Sequence, residues 1–329
     1  MKTNILVTGG AGYIGSHTVE ALQQAGYNPI VLDNLSTGHL EAVPGDVQFV
    51  ESDIHDVRFT RHILEDYKVD AVVHFAASSL VGESMTDPAK YYFNNVEGTL
   101  HLLEAMRGAG CDRIVFSSTA AVYGEPEHTP ITEDMPLAPT NVYGRSKLMI
   151  ERMMADYAMA YDFRYVALRY FNAAGASPTR DIGEDHNPET HLIPLILKTA
   201  RGVRDKIAIY GTDYPTEDGT CIRDYVHVCD LARAHVLAVD HLLRGGSSKV
   251  YNLGSQQGMS VREMIREAKL VTGKQFKVVE EARRAGDPAV LIASSAKIKA
   301  ELGWEPQFSD VANIMRSAWN WHSSHPDGY

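Results

Sequence analysis

The 329-residue chain has few cysteines. Only Cys111, Cys221 and Cys229 occur, and no two of them form a Cys-x-x-Cys pair. Thiols this few and this far apart exclude a disulfide framework and are typical of a reducing compartment. No apolar run approaches the roughly 20 residues that a membrane-spanning helix requires, and no leader-like pattern precedes the strand-like run at residues 4–8. We therefore expect a cytoplasmic protein.

Positive charge is also scarce. The chain has 31 Lys and Arg against 42 Asp and Glu, which gives a formal net charge of −11. This balance argues against nucleic acid or an anionic membrane as a partner, although a few local arginines can still bind a small anionic substrate. The 14 histidines, including His186 and His191, show no His-Glu-x-x-His or comparable ligand spacing. No metal site is therefore predicted.

What the first half of the chain does contain is an alternation of short apolar runs and helix-like stretches. The predicted strands are residues 4–8, 29–33, 47–52, 71–76, 113–117 and 165–170, and the predicted helices are residues 13–25, 56–67, 88–108 and 141–161. The runs are apolar almost throughout, as strands buried on both faces are. The alternation predicts an α/β fold with a doubly wound parallel sheet.

The first predicted strand leads directly into Gly9-Gly10-Ala11-Gly12-Tyr13-Ile14-Gly15. Glycines at this spacing permit a tight turn, close approach of the backbone to a pyrophosphate, and close packing of helix on strand. The following helix N-terminus presents free N–H groups to the phosphates. The second strand ends in Asp33, 18 residues after Gly15, where a carboxylate binds the adenosine ribose hydroxyls and repels a 2′-phosphate. These features predict NAD, rather than NADP, on a Rossmann fold.

Beyond residue 172 the composition of the sequence changes and the regular alternation of strands and helices ends. Residues 173–188 are rich in Gly, Pro and Asp, and residues 211–220 and 282–288 are also predicted to be loops. Long loops inside compact domains are usually functional. We expect an NAD-binding Rossmann domain over residues 1–172 and a smaller C-terminal substrate-binding lobe over residues 173–329, with some segments returning to the first domain.

A candidate catalytic group opens the predicted helix 141–161. Tyr143 and Lys147 are four residues apart and so share a helix face, and a lysine beside a tyrosine favours the phenolate and lowers the tyrosine pKa. A Tyr-x-x-x-Lys pattern occurs by chance about once in a chain of this size, and a surface Tyr and Lys are the alternative. Because Ser117-Ser118-Thr119 ends the preceding strand, a hydroxyl can reach the same reacting oxygen. Tyr143 and Lys147, together with a hydroxyl from Ser117-Ser118-Thr119, are therefore predicted to be catalytic.

These motifs together resemble the extended short-chain dehydrogenase/reductase superfamily. The features that match are Thr8-Gly9-x-x-Gly12-x-x-Gly15, Asn94-Asn95, the Ser/Thr strand end and Tyr143-x-x-x-Lys147. Longer stretches are similar to one family within it, the UDP-glucose (UDP-galactose) 4-epimerases: residues 7–18, 32–35, 210–220 and 223–228. The similarity extends from Met1 to the last helix-like stretch.

The resemblance implies C4 epimerisation of UDP-glucose and UDP-galactose. Tyr143 would remove the C4-hydroxyl proton of the sugar while the C4 hydride passes to NAD, and the 4-keto sugar would rotate before the hydride returns to its other face. Thr119 would hydrogen-bond the C4 oxygen. Lys147 would bind the nicotinamide ribose and tune Tyr143. NAD would be regenerated in each turnover and would not need to leave.

The motifs and the resemblance together predict two sets of binding residues. The predicted cofactor residues are Gly9, Gly12, Tyr13, Ile14, Gly15, Asp33, Asn34, Asp53, Ile54, Phe75, Ala76, Ala77, Asn94, Tyr143, Lys147 and Phe171. The implied UDP-sugar residues are Thr119 and Tyr143 at C4, Asn172 and Leu192 near the diphosphate, Tyr210 by the uracil, Arg223 and Arg284 on the phosphate charge, Asp287 at the uridine ribose and Leu291 beside the C2 substituent. Many relatives have a lysine where this chain has Ser79, so no cofactor role is assigned to Ser79.

The resemblance also implies a homodimer in which the helices predicted at residues 88–108 and 141–161 form a four-helix bundle with those of a second copy. Both stretches carry apolar residues on more than one side: Leu100, Leu103 and Met106 in the first, and Met149, Met153 and Met154 in the second. The alternative is that the sheet alone buries these side chains.

Three other functions are alternatives to epimerisation of UDP-glucose. A nucleotide-sugar 4,6-dehydratase places an Asp-Glu pair after the strand-end threonine, whereas Thr119 is followed by Ala120-Ala121. A non-catalytic NAD-binding regulator on the same fold would be expected to have lost Tyr143 or Lys147. A 4-epimerase acting on another UDP-sugar, such as a UDP-N-acetylhexosamine or UDP-arabinose, is poorly excluded by the sequence.

Overall fold

The computed structural model describes residues 2–284 and 287–329. In chain order the strands are β1 Asn4–Thr8, β2 Asn28–Asp33, β3 Gln48–Glu51, β4 Ala71–His74, β5 Arg113–Ser117, β6 Arg164–Tyr170, β7 Asn172–Ala174, β8 Ile207–Tyr210, β9 Ile222–His227, β10 Lys249–Leu253, β11 Gly258–Ser260, β12 Val278–Glu281 and β13 Val290–Leu291. The α-helices are α1 Tyr13–Gln24, α2 Val57–Asp66, α3 Val81–Thr86, α4 Pro88–Tyr91, α5 Gly98–Ala109, α6 Val142–Tyr161, α7 Leu192–Ala200, α8 Val228–Leu243, α9 Val261–Thr272, α10 Ala296–Leu302 and α11 Val311–Ser324. A π-helical segment, Tyr92–Glu97, lies between α4 and α5, and 3₁₀ helices cover Leu40–Ala42 and Ala120–Tyr123.

A parallel sheet of seven strands in the order β10-β6-β5-β4-β1-β2-β3 forms the centre of the fold. The predicted doubly wound α/β sheet is confirmed, and its six predicted strands all form. The seventh strand, β10, comes from the second half of the chain and was not predicted. Its apolar run is interrupted by Asn252, which is fully buried. The interior tolerates this amide because it bonds the Tyr123 hydroxyl and the Ile131 carbonyl.

Helices cover both faces of this sheet, which explains why its strands are apolar throughout. Val19 and Leu22 of α1 pack with Leu231 and Ala238 of α8 on one face. Helices α2, α5 and α6 cover the other face, where Leu102, Met106 and Ile150 are among the buried side chains. Helix α8 and strand β10, both from the second half of the chain, thus complete the layered unit that the first half begins.

The predicted helix at residues 88–108 was wrong in detail, because the structure divides it into α4, a π-helical segment and α5. The fully buried Asn95 lies in the π-helical segment. Its amide accepts a 2.8 Å bond from Ser78 N and donates to Ser78 O at 3.0 Å and to Ser146 Oγ at 3.1 Å. These bonds tie the loop after β4 to helix α6. A π-helical turn, which often occurs at functional sites, positions this side chain inward.

The remaining strands, together with helices α7, α9 and α11, form a smaller lobe. Strand β9 pairs with β7, β11 and β13, and β8 pairs with β12. Helices α7, α9 and α11 surround a second core that includes Ile196, Met264 and Met315. No helix or strand occurs from Gly175 to His191 or from Gly211 to Cys221. The predicted loop at residues 211–220 is therefore present, and the predicted loop at residues 173–188 differs only in that its first two residues belong to β7. The predicted loop 282–288 includes Ala285 and Gly286, which lie outside the described residues.

Within the part of the chain that the structure describes, none of the helices combines the length and the apolar composition needed to cross a membrane.

His74, a fully buried residue at the carboxyl end of β4, predicts a loss of stability in acid. Burial, and secondly the Lys147 ammonium, lower the pKa of His74 from 6.5 to about 3. Its ring nitrogens lie 2.7 Å from Thr8 Oγ1 and 2.9 Å from Thr99 Oγ1. Below pH 6.5 the unfolded chain takes up a proton here that the folded chain does not. The free energy of unfolding should therefore fall by up to about 1 kcal/mol per pH unit from this residue as the pH drops toward 4.

Urea unfolding between about pH 7 and pH 4 measures this dependence. The His74→Asn variant should lose part of the pH slope, whereas His62→Asn, which alters a 63%-exposed side chain, should keep it. Equal slopes in wild type and His74→Asn would show that His74 does not resist protonation in the folded state.

Candidate active site

The glycine loop between β1 and α1 lies against the end of β4. Gly9 has a φ of +74°, and a Cβ there would be 2.5 Å from Ala76 N. A Cβ on Gly15 would be 2.1 Å from the Gly9 carbonyl oxygen. Glycine is thus required at both positions for the turn and for the start of the helix. No side chain caps α1, whose N-cap is Gly12, so the first N–H groups of the helix are free to bind an anion such as a pyrophosphate.

Three predicted cofactor residues meet at the carboxyl ends of β2 and β3. The Asp33 carboxylate accepts hydrogen bonds of 2.9 Å from Ala11 N and Leu35 N, which fix it beside the glycine loop. Burial raises the pKa of Asp33, and these bonds oppose that effect. Asn34 Nδ2 donates to Asp53 Oδ2 at 2.8 Å. Burial raises the pKa of Asp53, but hydrogen bonds from His55 and Asn34 outweigh burial and hold it below the usual value. The carboxyl edge of the sheet therefore carries two carboxylates, those of Asp33 and Asp53, that hydrogen bonds hold in place.

The other predicted cofactor residues surround the same edge. Phe75 N and Ala76 N both donate to Thr8 O, at 2.8 and 3.1 Å, so the residues after β4 run beside the glycine loop, and Ala77 follows them. Tyr13 donates to Gly175 O at 2.6 Å, and Asn94 Nδ2 donates to Asn95 Oδ1 at 3.0 Å. Ile14, Ile54 and Phe171 are buried or half-buried apolar residues of the surrounding cores.

Tyr143, Lys147 and Thr119 come together where β5 ends and α6 begins. Asn141 caps α6 by accepting a 2.8 Å bond from Gly144 N, so Tyr143 lies in the first turn. Lys147, one turn later, is 3% exposed, and its Nζ donates to Ser117 O at 2.9 Å. The same Nζ lies 4.7 Å from the Phe116 ring centroid and 5.9 Å from that of Tyr143. Thr119 follows β5 and caps the 3₁₀ helix Ala120–Tyr123.

The protonation of this group differs from the sequence prediction. Burial raises the pKa of Tyr143 to about 12, although a hydrogen bond with Thr119 acts in the opposite direction. Burial also lowers the pKa of Lys147 to about 7, against the attraction of Glu151. The sequence predicted that Lys147 would lower the tyrosine pKa, whereas in the structure burial dominates at Tyr143 and the lysine bonds the Ser117 carbonyl.

A buried ion pair that was not predicted from the sequence lies behind the candidate catalytic residues Tyr143, Lys147 and Thr119. Glu151 and Arg169 are 6% and 3% exposed and are joined by bonds of 3.0 Å from Nε to Oε1 and 2.5 Å from Nη2 to Oε2. Ser118 Oγ donates to Glu151 Oε1 at 2.5 Å, and Arg169 Nη1 donates to the Tyr123 hydroxyl at 2.7 Å. The pair thus connects β6 and α6 to the residues on either side of Thr119. Glu151 follows Lys147 by four residues and so shares its helix face, and this spacing was the sequence signal that could have indicated Glu151 as part of the site.

The predicted UDP-sugar residues lie in the smaller lobe and at its border. Arg223 forms a hydrogen-bonded ion pair with Asp287, and Leu291 lies opposite Arg223 in the β13–β9 register. The Arg284 guanidinium lies 4.1 Å from the Tyr210 ring centroid, and no carboxylate among the described residues pairs with it. Leu291 also contacts the buried cluster that contains Ala120, Val122 and Tyr123, so β13 reaches the segment after Thr119.

Two of the predicted substrate residues are placed differently from this group. Asn172 Nδ2 donates to Asp224 O at 2.8 Å, so its amide already has a protein partner. Leu192 begins α7 and packs in the core of the smaller lobe. Arg283, beside the predicted phosphate-binding Arg284, pairs with Asp213. The Ala285 and Gly286 of this predicted basic turn lie outside the described residues.

Comparison with known proteins adds independent information. A family model described as the NAD dependent epimerase/dehydratase family matches residues 5–254. The chain belongs to this family. It is 53% identical over 325 residues to the UDP-glucose 4-epimerase of Lacticaseibacillus casei, a match that covers 99% of this chain and 98% of that protein.

Solved structures give the same result. UDP-glucose 4-epimerase from Brucella ovis in complex with NAD is 52% identical, with a TM-score of 0.95 and coverage of 97% of this chain and 98% of that one. The UDP-Glc/GlcNAc 4-epimerase from Campylobacter jejuni is 44% identical, with a TM-score of 0.87 and coverage of 98% and 99%. The family, the NAD cofactor and the enzyme class predicted from the sequence are confirmed.

The segment after Thr119 bears on the choice between epimerisation and dehydration. Elimination of water requires acid and base groups beside the sugar. Ala120 and Ala121 supply neither, and both lie in the 3₁₀ helix Ala120–Tyr123, with Ala120 buried. The structure therefore favours epimerisation over dehydration.

Proposed function

We propose that the chain interconverts UDP-glucose and UDP-galactose by inverting the configuration at C4 of the sugar. The observation that carries this proposal is the placement of Tyr143, Lys147 and Thr119 at the carboxyl edge of the sheet that also bears the glycine loop and Asp33. Ligands of open α/β sheets bind at this edge. Removal of a proton from the C4 hydroxyl and of a hydride from C4 leaves a 4-keto sugar. After this sugar rotates, the hydride returns to the opposite face of C4 and the proton returns to the C4 oxygen, which completes the epimerisation without net oxidation.

Each catalytic residue has a role that its geometry supports. NAD, when bound, supplies the hydride acceptor, and its positively charged nicotinamide favours the phenolate form of a nearby tyrosine. Tyr143 accepts the C4-hydroxyl proton and later returns it. The Thr119 hydroxyl, which interacts with the same phenol, hydrogen-bonds the C4 oxygen. Lys147, held by the Ser117 carbonyl, binds the nicotinamide ribose and orients Tyr143.

The UDP half of the substrate would bind the smaller lobe. Arg284, which lies on Tyr210 without a carboxylate partner among the described residues, has its charge free for a phosphate. Arg223 is already paired with Asp287, so its charge would be partly balanced when it contacts the diphosphate. Asp287 would accept a hydrogen bond from the uridine ribose. The Tyr210 ring is available to the uracil. Asn172 and Leu192 would contact the diphosphate through rearrangement or backbone groups.

The proposal is tested by two measurements on one preparation. Purified protein should convert UDP-galactose to UDP-glucose without added cofactor, and the supernatant of the denatured protein should contain NAD. Because the reaction regenerates NAD in place, activity without added NAD is the specific expectation. Absence of nucleotide, a preponderance of NADP, or release of water from the sugar would each contradict the proposal.

Leu291 is expected to set the preference for the C2 substituent. It is half-buried and lies between Arg223 and the cluster around Tyr123. An apolar side chain can contact an acetyl methyl but offers the amide no hydrogen bond, and an unmatched buried amide costs about 1–3 kcal/mol. UDP-glucose and UDP-galactose should therefore be preferred over UDP-N-acetyl sugars by about 5- to 150-fold in kcat/KM, with the N-acetyl substrates still detectably converted.

Two substitutions of opposite size test this role. Leu291→Ser should raise the kcat/KM ratio of N-acetyl to plain substrate, and Leu291→Tyr should abolish N-acetyl turnover by filling the space. Val290→Ser, which changes the preceding residue of β13, is the matched control and should leave the ratio unchanged. If neither change at Leu291 alters the ratio, Leu291 does not lie beside the C2 substituent.

We also propose a homodimer built on α5, α6 and the π-helical segment. Of the apolar side chains on these helices, Leu103, Met106 and Met154 are buried in the core of one chain. Leu100 and Met149, at 40% and 41% exposure, remain on the surface together with Phe93 at 57%. These exposed apolar side chains support an interface on this face, and the sheet alone does not bury them.

Sedimentation tests the dimer directly. Wild type should sediment as a dimer at micromolar concentration, and Met149→Glu should shift it toward the monomer by placing a charge in the interface. Leu270→Glu, on a 69%-exposed residue of α9, is the control and should leave the dimer intact. A wild-type monomer under these conditions would refute the proposal.

A further inference from the structure

Four side chains of the loop before α7 converge on one point. Glu184, His186, Glu189 and His191 each direct a nitrogen or oxygen atom into this cluster, and these atoms all lie within 4.8 Å of one another. It is the one His/Cys/Asp/Glu group of this kind within residues 2–284 and 287–329. Along the sequence these four residues follow the spacing i, i+2, i+5, i+7, which differs from the His-Glu-x-x-His spacing of a metal-binding helix. An irregular loop, and not a helix, brings them together.

The distances within this cluster match those of a four-coordinate metal site. His186 Nδ1 lies 3.3 Å from Glu184 Oε1 and 3.7 Å from Glu189 Oε2. His191 Nδ1 lies 3.0 Å from Glu184 Oε1 and 2.9 Å from Glu189 Oε1. Ligand atoms at the usual Zn–N and Zn–O bond lengths are about 3.3 Å apart along the edges of a tetrahedron. A small movement of the side chains would therefore place all four atoms around one ion.

Burial and hydrogen bonding also indicate a cation. The Glu184 and Glu189 side chains are only 5% and 3% exposed, and two buried carboxylates require compensating charge. His186 Nδ1 is buried and makes no hydrogen bond of acceptable geometry, although both carboxylates are near it. Among the described residues this nitrogen therefore lacks the hydrogen-bond partner that a buried ring nitrogen usually has. A single divalent ion would balance the two charges and coordinate this nitrogen.

We propose that Glu184, His186, Glu189 and His191 bind a divalent transition-metal ion, Zn²⁺ by preference. Two imidazole nitrogens and two carboxylate oxygens suit Zn²⁺ far better than Mg²⁺ or Ca²⁺, which select oxygen ligands. The ion holds the loop between β7 and α7 in place. The cluster lies beside the glycine loop, since the Tyr13 and His186 rings pack edge to face with centroids 6.1 Å apart. The site is therefore a structural one that supports the wall of the cofactor cleft.

Metal titration of the intact protein tests the proposal. Chelator-treated wild type should bind one equivalent of Zn²⁺ per chain with a Kd of about 1 µM or tighter. Binding should raise the melting temperature by a few degrees, whereas Mg²⁺ and Ca²⁺ at the same concentration should not. Co²⁺ bound in place of Zn²⁺ should give the visible absorption of a tetrahedral site.

A pair of neighbouring variants assigns the site. Glu184→Gln keeps the side-chain size but removes one anionic ligand, so it should weaken Zn²⁺ binding by about 100-fold or more. Asp185→Asn is the matched control, because the Asp185 carboxylate is directed toward His39 and should not affect binding. Failure of wild type to bind Zn²⁺, or equal loss of binding in both variants, would overturn the proposal and leave the cluster as ion pairs alone. Unchanged binding in Glu184→Gln would overturn it as well.

Discussion

Replacement of Tyr143 by phenylalanine is expected to lower turnover by about 10²- to 10⁴-fold, the usual range for loss of a general acid/base. The variant keeps the aromatic ring that packs edge to face against Tyr91 and loses only the oxygen that transfers the proton. Binding of the UDP-sugar should therefore remain near the wild-type level, because the proposed UDP contacts lie in the smaller lobe. Steady-state kinetics, with UDP-sugar affinity measured separately by titration, separate the two effects.

Tyr157 provides a matched control on the same helix. Its hydroxyl donates to Glu104 at 2.6 Å, away from the candidate active site, so Tyr157→Phe should change stability slightly and turnover hardly at all. A Tyr143→Phe enzyme with near-normal turnover would show that Tyr143 is structural and that the proposed mechanism is wrong. A variant that loses turnover only through loss of UDP-sugar binding would also contradict the role given to the phenol.

Replacement of Arg169 by methionine is expected to lower the free energy of unfolding by about 3–5 kcal/mol, the cost of leaving one member of a buried ion pair without its partner. The change keeps much of the side-chain volume but leaves the Glu151 carboxylate uncompensated and removes the donor to the Tyr123 hydroxyl. Urea unfolding near neutral pH measures the loss. The same variant should also lower turnover, because Glu151 accepts a hydrogen bond from Ser118, next to Thr119, which is proposed to be catalytic.

Two comparisons make this prediction specific. Arg61→Met breaks the ion pair of Arg61 with Glu65, whose side chains are 52% and 44% exposed, and should cost about 0.5 kcal/mol or less. The double variant Glu151→Leu/Arg169→Met removes both charges and should recover part of the stability lost by Arg169→Met alone. Equal losses in Arg169→Met and Arg61→Met would show that burial of the pair is unimportant.

Features encoded within short stretches of the chain were predictable. The six strands of the first half, the glycine loop and the positions of Asp33 and Tyr143 all followed from apolar runs and fixed spacings. The reason is that a strand buried on both faces must be apolar residue by residue. A position where an added Cβ would lie 2.1 Å from a backbone oxygen, as at Gly15, excludes every side chain. Family membership was predictable for the same reason, because these motifs occur together at one edge of the sheet.

Features that depend on contacts between residues distant in the sequence were not predictable from the sequence. Strand β10 was missed because its buried Asn252 is satisfied by Tyr123, 129 residues away. The break in the predicted helix at residues 88–108 depends on Ser78 and Ser146, which only folding brings to Asn95. Leu103, Met106 and Met154 face the core, and the helical periodicity alone did not distinguish that face from the exposed one.

The sequence by itself determined the α/β architecture, the NAD-binding edge and the identities of the candidate catalytic residues, since each rests on local periodicity or on a spacing of a few residues. Only the tertiary structure decided the electrostatics of the site. Burial raises the Tyr143 pKa and lowers that of Lys147, and the Glu151–Arg169 pair and the Glu184 cluster arise from packing. Desolvation depends on every surrounding atom, and that environment does not exist until the sheet, α6 and the smaller lobe are assembled.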